Sequence, residues 1–282
     1  MLRQRLFWGS LLIGLITLLF WWDYSTTRPV GFTLLMMTVA GAGLYEFYKM
    51  YENIGIILPK IFPIIIAVSW FFINLVLSSI LSAGRDFLPF DIIFLVFLTG
   101  AVAYYLFNKD VTKINHLFIL VAGFVYICLP LYYIYLIRYD RGLFFLIYFI
   151  ALNKLADTFA YFGGRLFGRH RLAPQISPNK TVEGLISALI LGSFSGLFLW
   201  SLLPVSPEIG QGQWWVYLAI INFAIILAGQ SGDLLESMFK RYCQVKDSSR
   251  LVPGLGGVLD LIDCLLLSAP VAYYLSIFLR MK

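Results

Sequence analysis

The sequence is poor in charged residues, cysteine and histidine. Charged residues make up 13% of its 282 residues, whereas soluble domains average about 25%, so the chain has no room for a large soluble domain. Its three cysteines, Cys128, Cys243 and Cys264, are odd in number and fit no disulfide, zinc or redox spacing. The sequence also contains no P-loop, no dinucleotide-binding fingerprint and no Ser-His-Asp arrangement.

The sequence is instead rich in apolar residues. They make up 60% of the chain, and the mean hydropathy is +0.85. Most of the apolar runs approach the roughly 20 residues that a helix needs to span a bilayer. The pattern predicts an all-α polytopic membrane protein with about nine transmembrane helices. The runs are Leu6–Trp22, Phe32–Tyr48, Ile61–Leu81, Phe90–Leu106, Leu117–Ile137, Leu143–Phe162, Gly184–Leu203, Trp214–Phe239 and Val258–Leu279.

The basic residues are distributed unevenly among the connections. If the N-terminus is cytoplasmic, the inner segments carry 14 lysines and arginines and the outer segments carry six. Cytoplasmic loops are enriched in basic residues, so this split favours an N-terminus inside and a C-terminus outside. The net charge of +6 is thus interpreted as loop bias, and we expect a lipid bilayer and no nucleic acid among the partners.

The polar stretch from Ala228 to Asp263 joins the last two apolar runs and carries four acids. Asp233 and Glu236 precede the connection, and Asp260 and Asp263 follow it; each pair shares one helical face. Ionisable residues at membrane depth are costly and mark functional sites by default. Because carboxylates suit a hard cation, we expect the four acids to hold Mg²⁺, with a second cation left open and with Asp233 and Asp260 as the principal ligands.

Basic residues and glycines accompany these acids. Lys240 and Arg241 lie about one turn beyond Glu236, and Lys246 lies in the connection. Such cations bind phosphate oxygens, and the backbone N–H groups of the glycines before the last run favour an anion. The combination predicts phosphoryl or nucleotidyl transfer. Two simpler interpretations stay open: the charges are helix ends at the lipid headgroups, or one acid is protonated and donates a hydrogen bond to another.

A second polar stretch runs from Asn153 to Gly184. Asp157 lies inside the sixth apolar run, three residues after Lys154. Two interpretations stay open: Lys154 neutralises Asp157 in a structural ion pair, or Asp157 takes part in catalysis. The basic loop that follows suits anionic lipid headgroups, and its end, Ser177–Thr181, predicts a turn that leads into a helix. Glu46, near the end of the second run, is interpreted as a helix-end polar residue.

The segment from Ser237 to Asp263 resembles the signature of the phosphatidate cytidylyltransferase family, also called CDP-diacylglycerol synthase. The pattern of Ser, Lys-Arg, Lys-Asp, Gly-Gly and two spaced Asp residues is filled by Ser237, Lys240, Arg241, Lys246, Asp247, Gly256, Gly257, Asp260 and Asp263. Leu255 and Leu261 stand where the family has His and Arg, and both replacements remove a polar group. The second polar stretch also resembles the family, so the resemblance covers residues 150–265.

The resemblance implies transfer of the cytidylyl group of CTP to phosphatidate, which gives CDP-diacylglycerol and pyrophosphate. The expected catalytic residues are Asp233, Asp260, Lys180 and Lys240, and the expected metal ligands are Asp233, Asp260, Glu236 and Asp263. The expected substrate-binding residues are Arg241, Lys246, Asp247, Ser237, Ser177, Asn179, Thr181, Gly256, Gly257 and Asp157.

The same resemblance suggests how the chain is organised. Residues 1–140 are expected to form scaffold helices that face lipid or an oligomer partner, and a homodimer is one possibility. Residues 141–282 are expected to form the catalytic region, with cytoplasmic loops at 163–181 and 242–257. The expected location is a bacterial-type inner membrane, with an active site that faces the cytoplasm.

Two other functions stay open on the sequence alone. A CTP-dependent polyprenol or phytol kinase is a related activity on another lipid alcohol. An ion-coupled transporter could also bury carboxylates among its spans, although transporters often contain inverted repeats and no such internal symmetry is evident here.

Overall fold

The computed structural model describes residues 2–25, 30–80, 88–107, 113–203, 214–249, 251, 254 and 256–278. Leu255, one of the two positions that differ from the family signature, lies outside the described residues. The helices are α1 (Leu2–Ser25), α2 (Val30–Glu52), α3 (Ile61–Ile80), α4 (Phe90–Phe107), α5 (Ile114–Leu136), α6 (Gly142–Phe167), α7 (Val182–Ser201), α8 (Trp214–Tyr242) and α9 (Val258–Phe278).

Each predicted apolar run overlaps one of these helices, and most of the described chain is helical. Leu81 and Leu279, the last residues of two runs, lie outside the described residues. Six helical stretches of the described chain are long and apolar enough to cross a membrane, and they indicate an integral membrane protein. Nine crossings and a cytoplasmic N-terminus stay predictions. The six stretches are Val30–Glu52, Phe90–Phe107, Ile114–Phe167, Val182–Ser201, Trp214–Tyr242 and Val258–Ile277.

The stretch Ile114–Phe167, at 54 residues, is far longer than one span requires. A π-helix, Ile137–Arg141, joins α5 to α6 and ends at Gly142, where φ is 84° and ψ is 177°. These angles lie outside the helical region, and a residue with a side chain rarely adopts such a φ. The fifth and sixth predicted runs meet at this glycine, which interrupts the helical geometry between them.

The chain divides into two compact units. The first comprises Met1–Tyr132 together with Tyr242–Leu261, and the second comprises Tyr133–Arg241 together with Ile262–Lys282. This division does not follow the expected boundary at residue 140. The assignment of scaffold and catalytic roles to residues 1–140 and 141–282 therefore stays a prediction.

The first unit has an aromatic core between α2, α4 and α5. The rings of Phe97 and Phe124 stack with their centroids 3.9 Å apart. The hydroxyl of Tyr48 donates to the carbonyl of Leu120 at 2.8 Å. A polar group in the apolar region of a bilayer needs such an internal partner, so this bond holds α2 against α5. It thereby fixes the part of α2 that carries Glu46.

The second unit packs α6, α7 and α8 through small and polar residues. Gly163 on α6 lies so close to Ser187 on α7 that a Cβ atom there would overlap its side chain. Small residues allow membrane helices to approach in this way. On α8, Asn222 accepts a hydrogen bond from the hydroxyl of Tyr148 on α6 and donates to the carbonyl of Ser193 on α7 at 3.3 Å. These contacts hold α8, which carries the acids, against α6 and α7.

A short antiparallel hairpin, β1 (Arg171–Ala173) and β2 (Ser177–Thr181), lies between α6 and α7. The sequence predicts only a turn at this place. The strands form because Pro174 follows Ala173 in a tight turn, which the N–H of Ile176 closes by donating to the Ala173 carbonyl at 3.1 Å. The predicted helix start is confirmed: Thr181 is the N-cap of α7, and its side chain accepts from the N–H of Gly184 at 3.1 Å.

Candidate active site

The polar end of α8 carries charged residues on one face, as their spacing predicts. Glu236 is fully buried, and its carboxylate forms an ion pair with the ammonium group of Lys240 one turn later. Asp233 lies one turn before Ser237, whose hydroxyl is 3.5 Å from the Asp233 Oδ1 atom. A buried carboxylate persists as an ion only beside a countercharge, and Lys240 supplies that charge to Glu236.

The hairpin brings a second lysine to α8. The Nζ atom of Lys180 on β2 lies 2.6 Å from Oδ2 of Asp233, and the two side chains are 21% and 27% exposed. Arg241, at the end of α8, donates from Nε to the carbonyl of Ile176 at 3.0 Å. The hairpin and α8 thus meet through an ion pair and a hydrogen bond, and Lys180 joins the charged face of α8.

Asp157 on α6 belongs to the same compact unit. It accepts a hydrogen bond from Nε2 of Gln230 on α8 at 2.8 Å, and Nζ of Lys154 lies 3.6 Å from its second oxygen. Lys154 also donates to Sγ of Cys264 on α9 at 3.2 Å. Lys154 thus pairs with Asp157, as the first of the two interpretations requires, and Gln230 adds a hydrogen bond; a role of Asp157 in substrate binding stays a prediction.

Asp263 on α9 completes this group of acids. Its carboxyl group interacts electrostatically with those of Asp233 and Asp157 and with the ammonium group of Lys154. Its Oδ1 atom accepts from the N–H of Cys264 at 2.6 Å. The second unit therefore gathers carboxylates from α6, α8 and α9 together with ammonium groups from α6, α8 and the hairpin. We call this the lysine-paired cluster; it comprises Lys154, Asp157, Lys180, Asp233, Glu236, Lys240 and Asp263.

Asp260 has a different environment in the first unit, at the first turn of α9. Its Oδ2 atom accepts from the N–H of Gly257 at 2.7 Å, from the N–H of Ser248 at 3.1 Å and from the hydroxyl of Ser248 at 2.8 Å. Gly256 has a φ of 96°, and a Cβ atom there would lie 2.6 Å from the same oxygen. Asp260 thus caps α9 and holds the loop between α8 and α9 at Ser248.

Glu46 on α2 also faces the start of α9, in the same unit, and it is fully buried. Its Oε1 atom accepts from the N–H of Val258 at 2.9 Å and from the hydroxyl of Ser249 at 2.6 Å. Its Oε2 atom accepts from the N–H of Leu259 at 2.9 Å and from the hydroxyl of Ser248 at 3.1 Å. The interpretation of Glu46 as a helix-end residue misses these contacts, although an acid inside an apolar run is itself a functional signal.

The backbone donors at the start of α9 serve the protein's own carboxylates. The N–H of Gly257 donates to Asp260, and the next two N–H groups donate to Glu46. We call this arrangement the loop-holding cluster; it comprises Glu46, Ser248, Ser249, Gly257 and Asp260. The substrate contacts expected at Gly256 and Gly257 stay predictions.

The remaining expected substrate-binding residues differ in exposure. Lys246 and Asp247 are exposed in the loop between α8 and α9, and Asn179 is exposed on β2. Ser177 is half-buried, and Thr181 is buried as the cap of α7. Contacts of these five side chains with substrate stay predictions.

Cys243 lies at the start of the loop between α8 and α9 and is fully buried. Burial raises the pKa of its thiol to about 11, because desolvation disfavours the thiolate. A thiol with such a pKa is a poor nucleophile near neutral pH. This environment does not favour Cys243 as a nucleophile.

Mg²⁺ suits the lysine-paired cluster better than the loop-holding cluster. In the part of the chain that the structure describes, no three His, Cys, Asp or Glu side chains form a group that could hold a metal by themselves. Mg²⁺ commonly needs only one or two carboxylates, because water and substrate phosphates fill its other positions. Asp233 and Asp263 interact electrostatically and so offer two nearby carboxylates, whereas Asp260 already faces three hydrogen-bond donors. Joint binding by Asp233 and Asp260 stays a prediction.

Comparison with known proteins gives consistent matches along most of the chain. A model described as "Cytidylyltransferase family" matches residues 3–279. Three curated relatives carry the name phosphatidate cytidylyltransferase. The Chlamydia muridarum protein is 42% identical over 132 residues, which cover 47% of this chain and 43% of that protein. The Staphylococcus haemolyticus protein is 36% identical over 182 residues, 63% of this chain and 67% of that protein. The Bacillus subtilis protein is 30% identical over 250 residues, 86% of this chain and 88% of that protein.

Proposed function

The chain belongs to the cytidylyltransferase family, and we propose that it transfers the cytidylyl group of CTP to phosphatidate. The products are CDP-diacylglycerol and pyrophosphate, and the pathway served is phospholipid biosynthesis. Support comes from the family match over residues 3–279 and from the name that its relatives carry. The aligned part of the chlamydial relative spans less than half of that protein's length, so the activity is argued from the residues of this chain as well.

The reaction is a displacement at phosphorus that requires no covalent protein intermediate. A phosphate oxygen of phosphatidate attacks the α-phosphorus of CTP and forms a new P–O bond. The bond between the α-phosphorus and the bridging oxygen breaks, and pyrophosphate leaves with that electron pair. Catalysis of phosphoryl transfer is largely a matter of positioning and charge neutralisation, so the site must supply positive charge around two phosphorylated substrates.

The ion pair between Lys180 and Asp233 is the observation that carries this proposal. Its 2.6 Å contact holds an ammonium group beside a carboxylate, with both side chains largely removed from solvent. An ammonium group that is already desolvated can turn to a phosphate oxygen at little further desolvation cost. Lys180 therefore neutralises a phosphate of CTP or of phosphatidate, and Lys240 and Arg241 on α8 do the same for the remaining phosphates.

Asp233 and Asp263 would hold the Mg²⁺ ion through one or both of their carboxylates, with Glu236 orienting its water ligands. When bound, the ion polarises the phosphoryl oxygens and stabilises the leaving pyrophosphate. Lys154, which interacts with both Asp157 and Asp263, supplies positive charge to this group of acids within the span, where like charges would otherwise repel.

The lipid substrate and the nucleotide arrive from different phases. The acyl chains of phosphatidate stay in the bilayer, and CTP comes from the cytoplasm. We therefore place the segments 163–181 and 242–257 on the cytoplasmic side of a bacterial-type inner membrane, in agreement with the 14-to-6 basic split. The expected loops begin inside helices, because α6 continues to Phe167 and α8 to Tyr242. A homodimer stays a prediction.

The proposed side of the membrane can be tested by labelling with an impermeant thiol reagent. Cys243 is unsuitable because it is buried, whereas Lys246 is exposed. We expect Lys246→Cys, in a chain without other cysteines, to be labelled in inside-out vesicles and protected in sealed cells. Labelling in sealed cells at the vesicle rate would place the loop on the other side.

Turnover with labelled CTP tests the proposed reaction. Purified protein in detergent is given phosphatidate, Mg²⁺ and CTP labelled on the α-phosphate. We expect label in the lipid product and none when phosphatidate is omitted. A parallel reaction with CTP labelled on the γ-phosphate should leave the lipid unlabelled. Label from the γ-phosphate alone would indicate a lipid kinase and would contradict cytidylyl transfer.

A further inference from the structure

Glu46 is a buried acid that the proposed reaction does not use directly. It lies within the apolar helix Val30–Glu52 and is fully buried. Its two oxygens lie within hydrogen-bond distance of four donors, two backbone N–H groups of α9 and two serine hydroxyls of the preceding loop, of which the Ser248 hydroxyl is shared with Asp260. A buried carboxylate that is surrounded by hydrogen-bond donors has a much smaller desolvation penalty than an isolated buried charge. The four donors, however, all belong to one short segment, Ser248–Leu259.

The segment that Glu46 contacts is also the segment that carries Asp260. The N–H groups of Val258 and Leu259 belong to the first turn of α9, and the next residue is Asp260. A negative charge at a helix N-terminus is stabilised by the unpaired N–H groups and by the helix dipole. Glu46 provides that charge from α2, so the position of Val258 and Leu259, in the first turn of α9, depends on this carboxylate.

Ser248 links the two acids directly. Its hydroxyl oxygen lies 3.1 Å from Oε2 of Glu46 and 2.8 Å from Oδ2 of Asp260. A serine hydroxyl has one proton to donate, so it can serve only one of these carboxylates at a time. The orientation of the Ser248 hydroxyl, and with it a donor to Asp260, therefore depends on Glu46.

Gly257 shows how closely this arrangement is packed. A Cβ atom at this position would overlap the Ser248 hydroxyl and would lie 2.5 Å from Oε2 of Glu46. The backbone of the loop thus passes directly against the Glu46 carboxylate, and only glycine leaves the space for it. Because the two groups are in direct contact, a change in the length or charge of residue 46 would displace the backbone at Gly257.

We propose that Glu46 is a positioning residue for the reaction: it holds Ser248, Ser249 and the first turn of α9, so that Asp260 and the exposed Lys246 and Asp247 are presented in one arrangement. Glu46 acts through Ser248 and the α9 backbone and does not contact substrate. The inference rests on the proposed cytidylyl transfer for its consequence in turnover, and on the described contacts for its consequence in loop order.

Glu46→Gln tests the proposal with a nearly isosteric change. The amide keeps one acceptor oxygen, but its NH₂ group meets an N–H donor at Val258 or Leu259. The matched control is Glu52→Gln on the same helix, where the carboxylate pairs with Lys60 away from this cluster. We expect Glu46→Gln to lower kcat by about 10- to 100-fold, the range for groups that orient catalytic ligands. Glu52→Gln should stay within about threefold of wild type.

Three further readouts separate positioning from a general loss of structure. Radiolabelled CTP, bound to the purified protein in EDTA, gives the number of sites per chain, which should be unchanged in Glu46→Gln. The KM for CTP should change by less than about threefold while kcat falls. Trypsin cleavage after Lys246, followed by mass spectrometry in detergent, should be faster than in wild type because the loop has lost its partner.

Each outcome decides the proposal. A kcat within about threefold of wild type would overturn it, and so would a loss of CTP sites in proportion to kcat, since that pattern reports unfolded protein. If wild type itself fails to transfer label from CTP to phosphatidate, the proposed function fails. In that case, faster cleavage after Lys246 in Glu46→Gln would still support the inference that Glu46 orders the loop. Unchanged cleavage would overturn that inference.

Discussion

The two groups of acids in this chain differ in their partners. In the lysine-paired cluster, Asp233 and Glu236 face the ammonium groups of Lys180 and Lys240. In the loop-holding cluster, Glu46 and Asp260 face backbone N–H groups and serine hydroxyls. Both clusters contain aspartate and glutamate, so the type of acid does not separate them, and the partners of the acids distinguish the roles.

The partners indicate which cluster can exchange ligands. An ammonium group is mobile on a long side chain and can move from a carboxylate to a phosphate, while the carboxylate turns to a metal ion. Backbone N–H groups at a helix start cannot leave without disturbing the helix. These differences support the proposal that the lysine-paired cluster binds substrate and metal, and that the loop-holding cluster orders the loop between α8 and α9.

The largest expected effect follows from removing the charge of Asp233. Asp233→Asn keeps the shape of the side chain but leaves Lys180 without a countercharge and removes a metal ligand. We expect turnover of CTP and phosphatidate to fall by at least about 100-fold, with an unchanged elution volume in detergent. Asp91→Asn, an exposed acid in the first turn of α4, is the control and should keep activity. Near-wild-type turnover in Asp233→Asn would end the assignment of this cluster to catalysis.

A smaller effect is expected for Lys180. Lys180→Ala removes one charge-assisted contact to phosphate, which contributes about 1.5–3 kcal/mol, so kcat/KM should fall by about 10- to 150-fold. Lys49→Ala, a basic residue in the last turn of α2, provides the comparison for simple headgroup anchoring. Equal kinetics in the two alanine variants would make Lys180 a headgroup anchor and would weaken the contrast between the clusters.

The loop-holding cluster should respond in loop order more than in turnover. Ser248→Ala removes the hydroxyl that lies between Glu46 and Asp260. The loss of a hydrogen bond to a charged group, about 1.5 kcal/mol, should raise the rate of trypsin cleavage after Lys246 by about tenfold. Ser231→Ala, which removes a hydroxyl bonded within α8, should leave the rate unchanged. If Ser248→Ala also leaves it unchanged, Ser248 does not hold the loop.

The smallest effect concerns Cys243, whose change should leave activity untouched. Since burial raises its thiol pKa to about 11, the thiolate fraction and the alkylation rate should be low at pH 7.5 and rise about tenfold per pH unit below that pKa. A chain that keeps only Cys243 is compared with the exposed single cysteine of Lys246→Cys. Similar rates at pH 7.5 would show that the loop opens readily and that Cys243 is not protected.

The sequence predicts the helices well because each apolar run is long and ends at polar residues. It also predicts which residues share a face: Asp233, Glu236 and Lys240 follow from their spacing alone. The pairing of Lys180 with Asp233 does not follow from spacing, because it requires a hairpin that the turn residues only partly indicate. Local patterns identify a face, and the partner opposite that face depends on the tertiary structure.

Glu46 illustrates the same limit from the other direction. It lies about 200 residues from Ser248 in sequence, and nothing near it in the chain indicates a partner. Asp260 and Asp263 share the spacing of Asp233 and Glu236, yet Asp260 caps a helix whereas Asp263 interacts with Asp233. Equal spacing therefore conceals a difference in role that appears only when the hydrogen-bond donors are known.

The most direct test of this division compares Asp233→Asn and Asp260→Asn side by side. Turnover of CTP and phosphatidate and trypsin cleavage after Lys246 are measured on the same preparations. The account predicts that both variants lose transfer, that the loop of Asp260→Asn is cleaved at least about tenfold faster than in wild type, and that the loop of Asp233→Asn is cleaved at the wild-type rate. Loss of transfer in Asp260→Asn with unchanged cleavage would contradict it, because Asp260 would then act on the reaction directly and not through the loop.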